Sequence, residues 1–334
     1  MPQLDTIGKI LEIISKHEVF MISSHINPDG DSISSQLAFY SLLSDLGKKV
    51  YILNADPIPS RYKFLPYIDA YQTELDFGDQ SNLNDVEVAI ILDCGNLNRV
   101  GDKIFAKIHP EWTIINIDHH SSNDFFGSYN FVDVNASATA EIIFGFIKKS
   151  GLRIGYDRAV CLYTGIIMDT GCFKFANTTA KAHRIVAQLI EEGVKPDKIG
   201  ELIYDIIPYR KAKLFSKVLE TLKLSHDGKI AYVSITNEMY KQTQTEVADT
   251  EGFIDYVRSL DGIEVALLFR ETENGNIKVS LRSKSKLDKQ AINVNQIAKE
   301  FEGGGHPEAS GCVVSAPLDK AIDMVLQRIL RVMV

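Results

Sequence analysis

Cysteine is scarce. The four in 334 residues, Cys94, Cys161, Cys172 and Cys312, lie far apart and never in C-x-x-C spacing, which excludes a zinc knuckle and a disulfide framework. A reducing cytoplasm is therefore the expected setting. Long apolar runs are missing too: no span of about 18 apolar residues occurs, and the opening MPQLDTIGKILEIISKHE reads as an amphipathic helix carrying acids and lysines, so no membrane partner is expected. Positive charge is in deficit, with 36 Lys and Arg against 44 Asp and Glu and a net charge of −8. That balance argues against a protein that coats long nucleic acid through its phosphates, while leaving room for a local basic site. Internal repeats and low-complexity tracts are also absent. What is there, 45% hydrophobic and 24% charged residues, suits a globular chain long enough for two cores.

Short Val- and Ile-rich runs at 18–24, 49–54, 86–92 and 112–117 alternate with helical patterns at 33–46, 138–150, 158–168 and 180–192. This alternation predicts an α/β domain over 1–192, a largely parallel sheet with helices on both faces. Residues 193–225, broken at Gly193, Pro196 and Pro208, read as a helical connector. Strand-like segments at 229–236, 263–270, 276–282 and 311–315, a hairpin turn at "ENGN" and helices at 246–259, 291–300 and 317–331 predict a smaller α+β domain over 226–334.

Three apolar runs of the first domain share an ending. One leads into His25 and "HINPDGDS", one into Asp93, and one into Asp118, His119 and His120. Asp169 closes the helical pattern "AVCLYTGIIMDT". Each residue alone suits a turn or a helix cap, but in an open α/β sheet the carboxyl ends of the strands face one crevice. A set joined by Asp-Gly-Asp and His-His is more than independent caps require. Carboxylate oxygens mixed with imidazole, without thiolates, suit Mn²⁺, with Mg²⁺ or Co²⁺ as substitutes, better than zinc. Two such ions activate a water and clamp a phosphoryl oxygen, and four carboxylates, Asp29, Asp31, Asp93 and Asp169, balance their charge.

With "HINPDGDS", "LDCGNLNRVG", "DHH", "GIIMDTGCFKF", "VSLRSK" and "GGGHPEASG" in order along nearly its whole length, the chain resembles the DHH phosphoesterases with a C-terminal DHH-associated domain. Within that family it is most similar to the NrnA-type nano-RNase/pAp-phosphatase group. The resemblance implies that His25, Asp29 and Asp93 hold one metal, that Asp31, Asp93, His119 and Asp169 hold the other, and that Asp93 bridges. It implies that Asp118 orients a histidine and that His120 lies near the scissile phosphate. The implied activity is metal-dependent removal of mononucleotides from short RNA, together with 3′-phosphatase action on pAp. Cyclic or linear dinucleotides are the alternative substrates, a nucleotide sensor without turnover is the alternative to an enzyme, and a homodimer is expected by resemblance only.

In the second domain, Gly303, Gly304, Gly305 and His306 read as a glycine-rich loop that lets a phosphate or nucleotide approach closely; a helix C-cap, which needs one glycine, is the plainer reading. Arg282 and Ser283 close a strand where a guanidinium can fork onto a phosphate, and Arg99 is a further phosphate-contact candidate. His17, His109, His183 and His226 lack such neighbours and are taken as structural or surface residues.

Overall fold

Side chains that alternate across a strand bury both faces of the first sheet. In β1 (Val19–Ser23), Phe20 and Ile22 point to one core while Met21 points to the other, and in β4 (Val88–Leu92) Val88, Ile90 and Leu92 oppose Ala89 and Ile91 in the same way. This computed structural model describes residues 6–75, 83–284 and 291–333. With β2 (Lys49–Asn54), β3 (Tyr71–Thr73), β5 (Thr113–Asp118) and β6 (Tyr129–Val132), the strands form a six-stranded sheet in the order β3-β2-β1-β4-β5-β6. Every pairing in it is parallel. The chain runs outward from β1 to β3, then restarts at β4 on the other side of β1. The order therefore reverses between β1 and β4, and the crevice beyond their carboxyl ends is where open α/β sheets bind ligands.

Helices α1 (Ile7–Lys16), α2 (Gly30–Asp45), α4 (Thr139–Ser150), α5 (Gly155–Asp169) and α6 (Ala180–Glu191) supply the larger core, and the short α3 (Asp102–Phe105) lies on the opposite face. The predicted helices over 33–46, 138–150 and 180–192 match α2, α4 and α6 to within a turn. The strands β3 and β6, too short and polar for a periodicity to register, extend the sheet at its two edges.

The structure divides into two compact units, Met1–Ile206 and Ile207–Val334, so residues read as a connector are shared between them. Ile199 of α7 (Pro196–Gly200) and Ile203 join the first core, while Leu214 and Val218 of α8 (Tyr209–Glu220) join a core of the second unit. The second unit is built on a mixed sheet ordered β11-β12-β10-β9-β8-β7, from β7 (Lys223–Leu224), β8 (Ile230–Ile235), β9 (Val265–Glu271), β10 (Ile277–Ser283), β11 (Gly304–His306) and β12 (Ala309–Val314). Helices α11 (Val294–Lys299) and α12 (Leu318–Met333) cover one face, and α8 and α10 (Phe253–Ser259) cover the other. The sequence left α9 (Asn237–Thr243) unread and predicted one helix over 246–259. Gly252, at a left-handed φ of 86°, breaks that segment, so a short 3₁₀ turn precedes α10.

Candidate metal centre

Each candidate in the first unit lies where a strand or helix ends. His25 follows β1 by two residues, Asp93 follows β4 directly, Asp118 is the last residue of β5, and Asp169 is the last of α5. Asp29 caps α2, its carboxylate accepting the N–H groups of Asp31 and Ser32 at 3.1 and 3.0 Å. Three overlapping groups result: His25, Asp29 and Asp93; Asp31, His119 and Asp169; and Asp93, His119 and His120. Asp93 belongs to two of them. It sits at φ 52°, a left-handed conformation that costs a non-glycine residue about 1–2 kcal/mol. Its buried carboxylate presents Oδ2 to His25 Nε2 at 3.6 Å and Oδ1 to His119 Nε2 at 3.6 Å.

The imidazole orientations fit a cation. His25 Nδ1 lies 2.8 Å from the Ile26 carbonyl and His119 Nδ1 lies 3.2 Å from the Ala136 carbonyl. Each Nδ1 therefore carries a proton and each Nε2 faces carboxylates; burial lowers both imidazoles, but the neighbouring carboxylates outweigh it and raise them above the ordinary histidine value. Those Nε2 to carboxylate distances run from 3.3 Å, His119 to Asp169, to 3.9 Å, His25 to Asp29. They exceed a good N–H···O bond of about 2.9 Å. They approach the 3 to 3.5 Å between donors that each stand about 2.1 Å from one ion. An Nε2 atom facing a carboxylate calls for positive charge between them, which a proton supplies in the free chain and a cation would supply in a metal centre.

Electrostatics point the same way. Burial pushes the Asp93 carboxyl up, but the surrounding imidazoles overcome it and hold the group down at about 2. Burial raises Asp31 well above the usual carboxylate range and Asp169 to about 7. Two neighbouring carboxyls thus resist ionising without a cation. The adjoining Cys94 is no rival ligand: its thiol donates to the Asn96 carbonyl at 3.1 Å and burial keeps it protonated, at about 12. The donor set is oxygen and imidazole, which suits hard divalent ions.

His120 is held differently. Its Nδ1 is 2.7 Å from Asp118 Oδ1, and that hydrogen bond raises the imidazole to about 9. Asp118 is itself anchored: Oδ1 accepts the His119 N–H at 2.8 Å and Oδ2 accepts from Asn123 Nδ2 at 2.6 Å. Sequence reading did not single out Asn123. Nor did it find Thr139, whose hydroxyl reaches Asp93 at 3.0 Å, because no local motif marks either residue. Gly165 of α5 escaped notice for the same reason: a Cβ there would stand 2.7 Å from Asp31 Oδ1, so glycine is what lets α5 pack this close.

The remaining candidates are placed as follows. Arg99 is exposed on a 3₁₀ turn, and its carbonyl accepts the Ile26 N–H at 2.7 Å, tying down the segment after His25. In the second unit Arg282 pairs with Ala309, which pairs in turn with His306, so both candidates share one row of the sheet. The hydroxyl of Ser283 is buried without a hydrogen-bond partner among the described residues. Gly303–His306, expected as a loop, is instead mostly the edge strand β11. Gly305, at φ 145°, passes so close to β12 that a Cβ would meet the Ala309 carbonyl at 2.5 Å. The plainer C-cap reading fails as well. The left-handed residue after α11 is Glu302, at φ 56°, and the Gly303 N–H closes on the Ala298 carbonyl at 2.9 Å. Around Gly304 a Cβ would meet nothing within 4 Å.

Residues 19–166 match the DHH family, N-terminal domain, and residues 227–333 match the DHHA1 domain. The chain is 32% identical over 309 residues to the bifunctional oligoribonuclease and PAP phosphatase NrnA of Thermus thermophilus, covering 92% of this chain and 88% of that protein. It is 29% identical over 303 residues to the probable bifunctional oligoribonuclease and PAP phosphatase NrnA of Streptococcus mutans, covering 90% of this chain and 91% of that protein. Among solved structures, an exopolyphosphatase-related protein from Bacteroides fragilis superposes with a TM-score of 0.89 at 26% identity, over 97% of this chain and 95% of that one.

Proposed function

The chain belongs to the DHH family of phosphoesterases, and we propose that it is a Mn²⁺-dependent hydrolase releasing nucleoside 5′-monophosphates from very short RNA and the 3′-phosphate from pAp. One observation carries the reading: Asp93 turns one oxygen toward His25 and the other toward His119. In the proposed centre His25, Asp29 and Asp93 hold one ion, and Asp31, Asp93, His119 and Asp169 hold a second. When bound, such a pair of ions lowers the pKa of a water and stabilises charge on the phosphoryl oxygens.

The chain's own residues supply the rest. His120, kept protonated at neutral pH by Asp118, uses Nδ1 on that carboxylate and has Nε2–H free to give a proton to the leaving oxygen. In the second unit, Arg282 would offer a guanidinium fork to a phosphate, and Gly304 and His306, on the edge strand separated from it by β12, would take a nucleotide. Arg99 is a further phosphate contact. A preference for short substrates accords with the net charge of −8, since a long strand needs an extended positive groove. The proposed setting is the cytoplasm, in keeping with four free cysteines. Among the described residues, no helix is long and apolar enough to cross a membrane.

The test is a substrate panel with Mn²⁺: pAp, a ribodinucleotide, an RNA of about 20 nucleotides and cyclic dinucleotides. Rapid turnover of the first two and slow turnover of the others is expected. Preference for cyclic dinucleotides reassigns the substrate, and absence of metal-dependent turnover on every substrate rejects the enzyme.

A further inference from the structure

We infer that Thr139 is a positioning residue, whose hydroxyl and backbone N–H set the planes of the two carboxylates, Asp93 and Asp31, around which the proposed metal centre is built. The inference rests on that reading of the centre. Helix α4 begins at Thr139, and its N-cap, Ala138, has no side chain able to cap. The first N–H groups of a helix need acceptors. Here the acceptor comes from another helix: Asp31 of α2 takes the Thr139 N–H on Oδ2 at 2.6 Å and the Ala140 N–H on Oδ1 at 2.9 Å. With one backbone donor on each oxygen, the Asp31 carboxylate cannot rotate.

The Thr139 side chain does the same for Asp93. Its Oγ1 donates to Asp93 Oδ1 at 3.0 Å, whereas the imidazoles around that carboxylate stand at 3.6 Å or more. The terminal torsion of an aspartate is soft, so without a fixed donor the plane of Asp93 is free to turn. The hydroxyl pins Oδ1 on the His119 side, which leaves Oδ2 facing His25. One residue, at the start of one helix, thereby orients a carboxylate from α2 and a carboxylate from the end of β4. Backbone capping alone explains the Thr139 N–H, but it does not explain the hydroxyl.

The test separates the hydroxyl from the fold. Mn²⁺ binding to the full chain is measured by calorimetry and by the electron paramagnetic resonance signal of free Mn²⁺, on the parent, Thr139→Val, Thr139→Ala and Thr139→Ser. Val keeps the shape and loses the hydroxyl; Ser keeps the hydroxyl and loses the methyl. Val and Ala are expected to bind Mn²⁺ about 10- to 100-fold more weakly, the usual effect of removing a partner of a metal ligand, with Ser restored to within a few-fold of the parent. If Val fails to fold in EDTA, as judged by circular dichroism, the Ala and Ser pair decides. Parent-like affinity in the hydroxyl-free variants, or a Ser variant as weak as Ala, overturns the inference alone. A parent that takes up no Mn²⁺ overturns the metal reading and the inference with it.

Discussion

Stripping divalent ions with EDTA should lower the melting temperature of Met1–Ile206 and leave Ile207–Val334 unmoved. Asp169 shows the scale of the effect: burial lifts its carboxyl from an ordinary 3.8 to about 7, and that gap corresponds to about 4 kcal/mol. The sign follows from proton binding. Between those two values the folded apo unit holds a proton that the unfolded chain has released, so the contribution of Asp169 to stability falls as pH rises through that window and is gone above about 7. A cation replaces the missing proton, so its benefit is greatest on the alkaline side. At 1,000 times its dissociation constant a ligand adds about 4 kcal/mol. For a unit of 206 residues, at about 2–4 °C per kcal/mol, this predicts a rise of about 8–16 °C. Scanning calorimetry at pH 5 and pH 8, with EDTA or Mn²⁺, measures it, with the second unit as an internal reference. Superimposed traces at pH 8 would refute the metal centre, and a larger shift at pH 5 than at pH 8 would refute the account of Asp169.

Two further outcomes are expected. Asp118→Asn replaces the charged acceptor that lifts His120 to about 9 with a neutral amide, so the alkaline limb of the pH–rate profile should move down toward the ordinary histidine value near 6.5, and an unmoved limb would show that His120 is not the acid. Arg282→Ala and His306→Ala should each cut kcat/KM for a ribodinucleotide by about 10- to 1,000-fold, the order of losing 1.5–4 kcal/mol of charged hydrogen bonding. Hydrolysis of bis-p-nitrophenyl phosphate, which has no nucleotide to recognise, should stay within a few-fold of the parent, and parallel losses on both substrates would place these residues in the metal centre itself.

The sequence by itself marked four of the six strands of the first sheet and the acidic and imidazole residues that end them, because both are local properties. Strands buried on both faces read as continuous apolar runs, and the residues that matter follow those runs directly: His25 after β1, Asp93 after β4, and Asp118 to His120 at the end of β5. Once the sheet is parallel, all such ends face the same way. What eluded sequence reading depends on contacts between distant segments. Thr139 meets Asp31 across 108 positions in the chain, and Gly165 matters only because α5 passes within reach of Asp31. The glycines at 303–305 read as a loop, and only the pairing with β12 makes most of that segment an edge strand, while Glu302 takes the left-handed turn that a glycine was expected to fill. The identities of the donor groups are written in order along the chain. The planes of the carboxylates and the protonation of the imidazoles follow from hydrogen bonds and burial that exist only once α2, α4 and α5 have packed together.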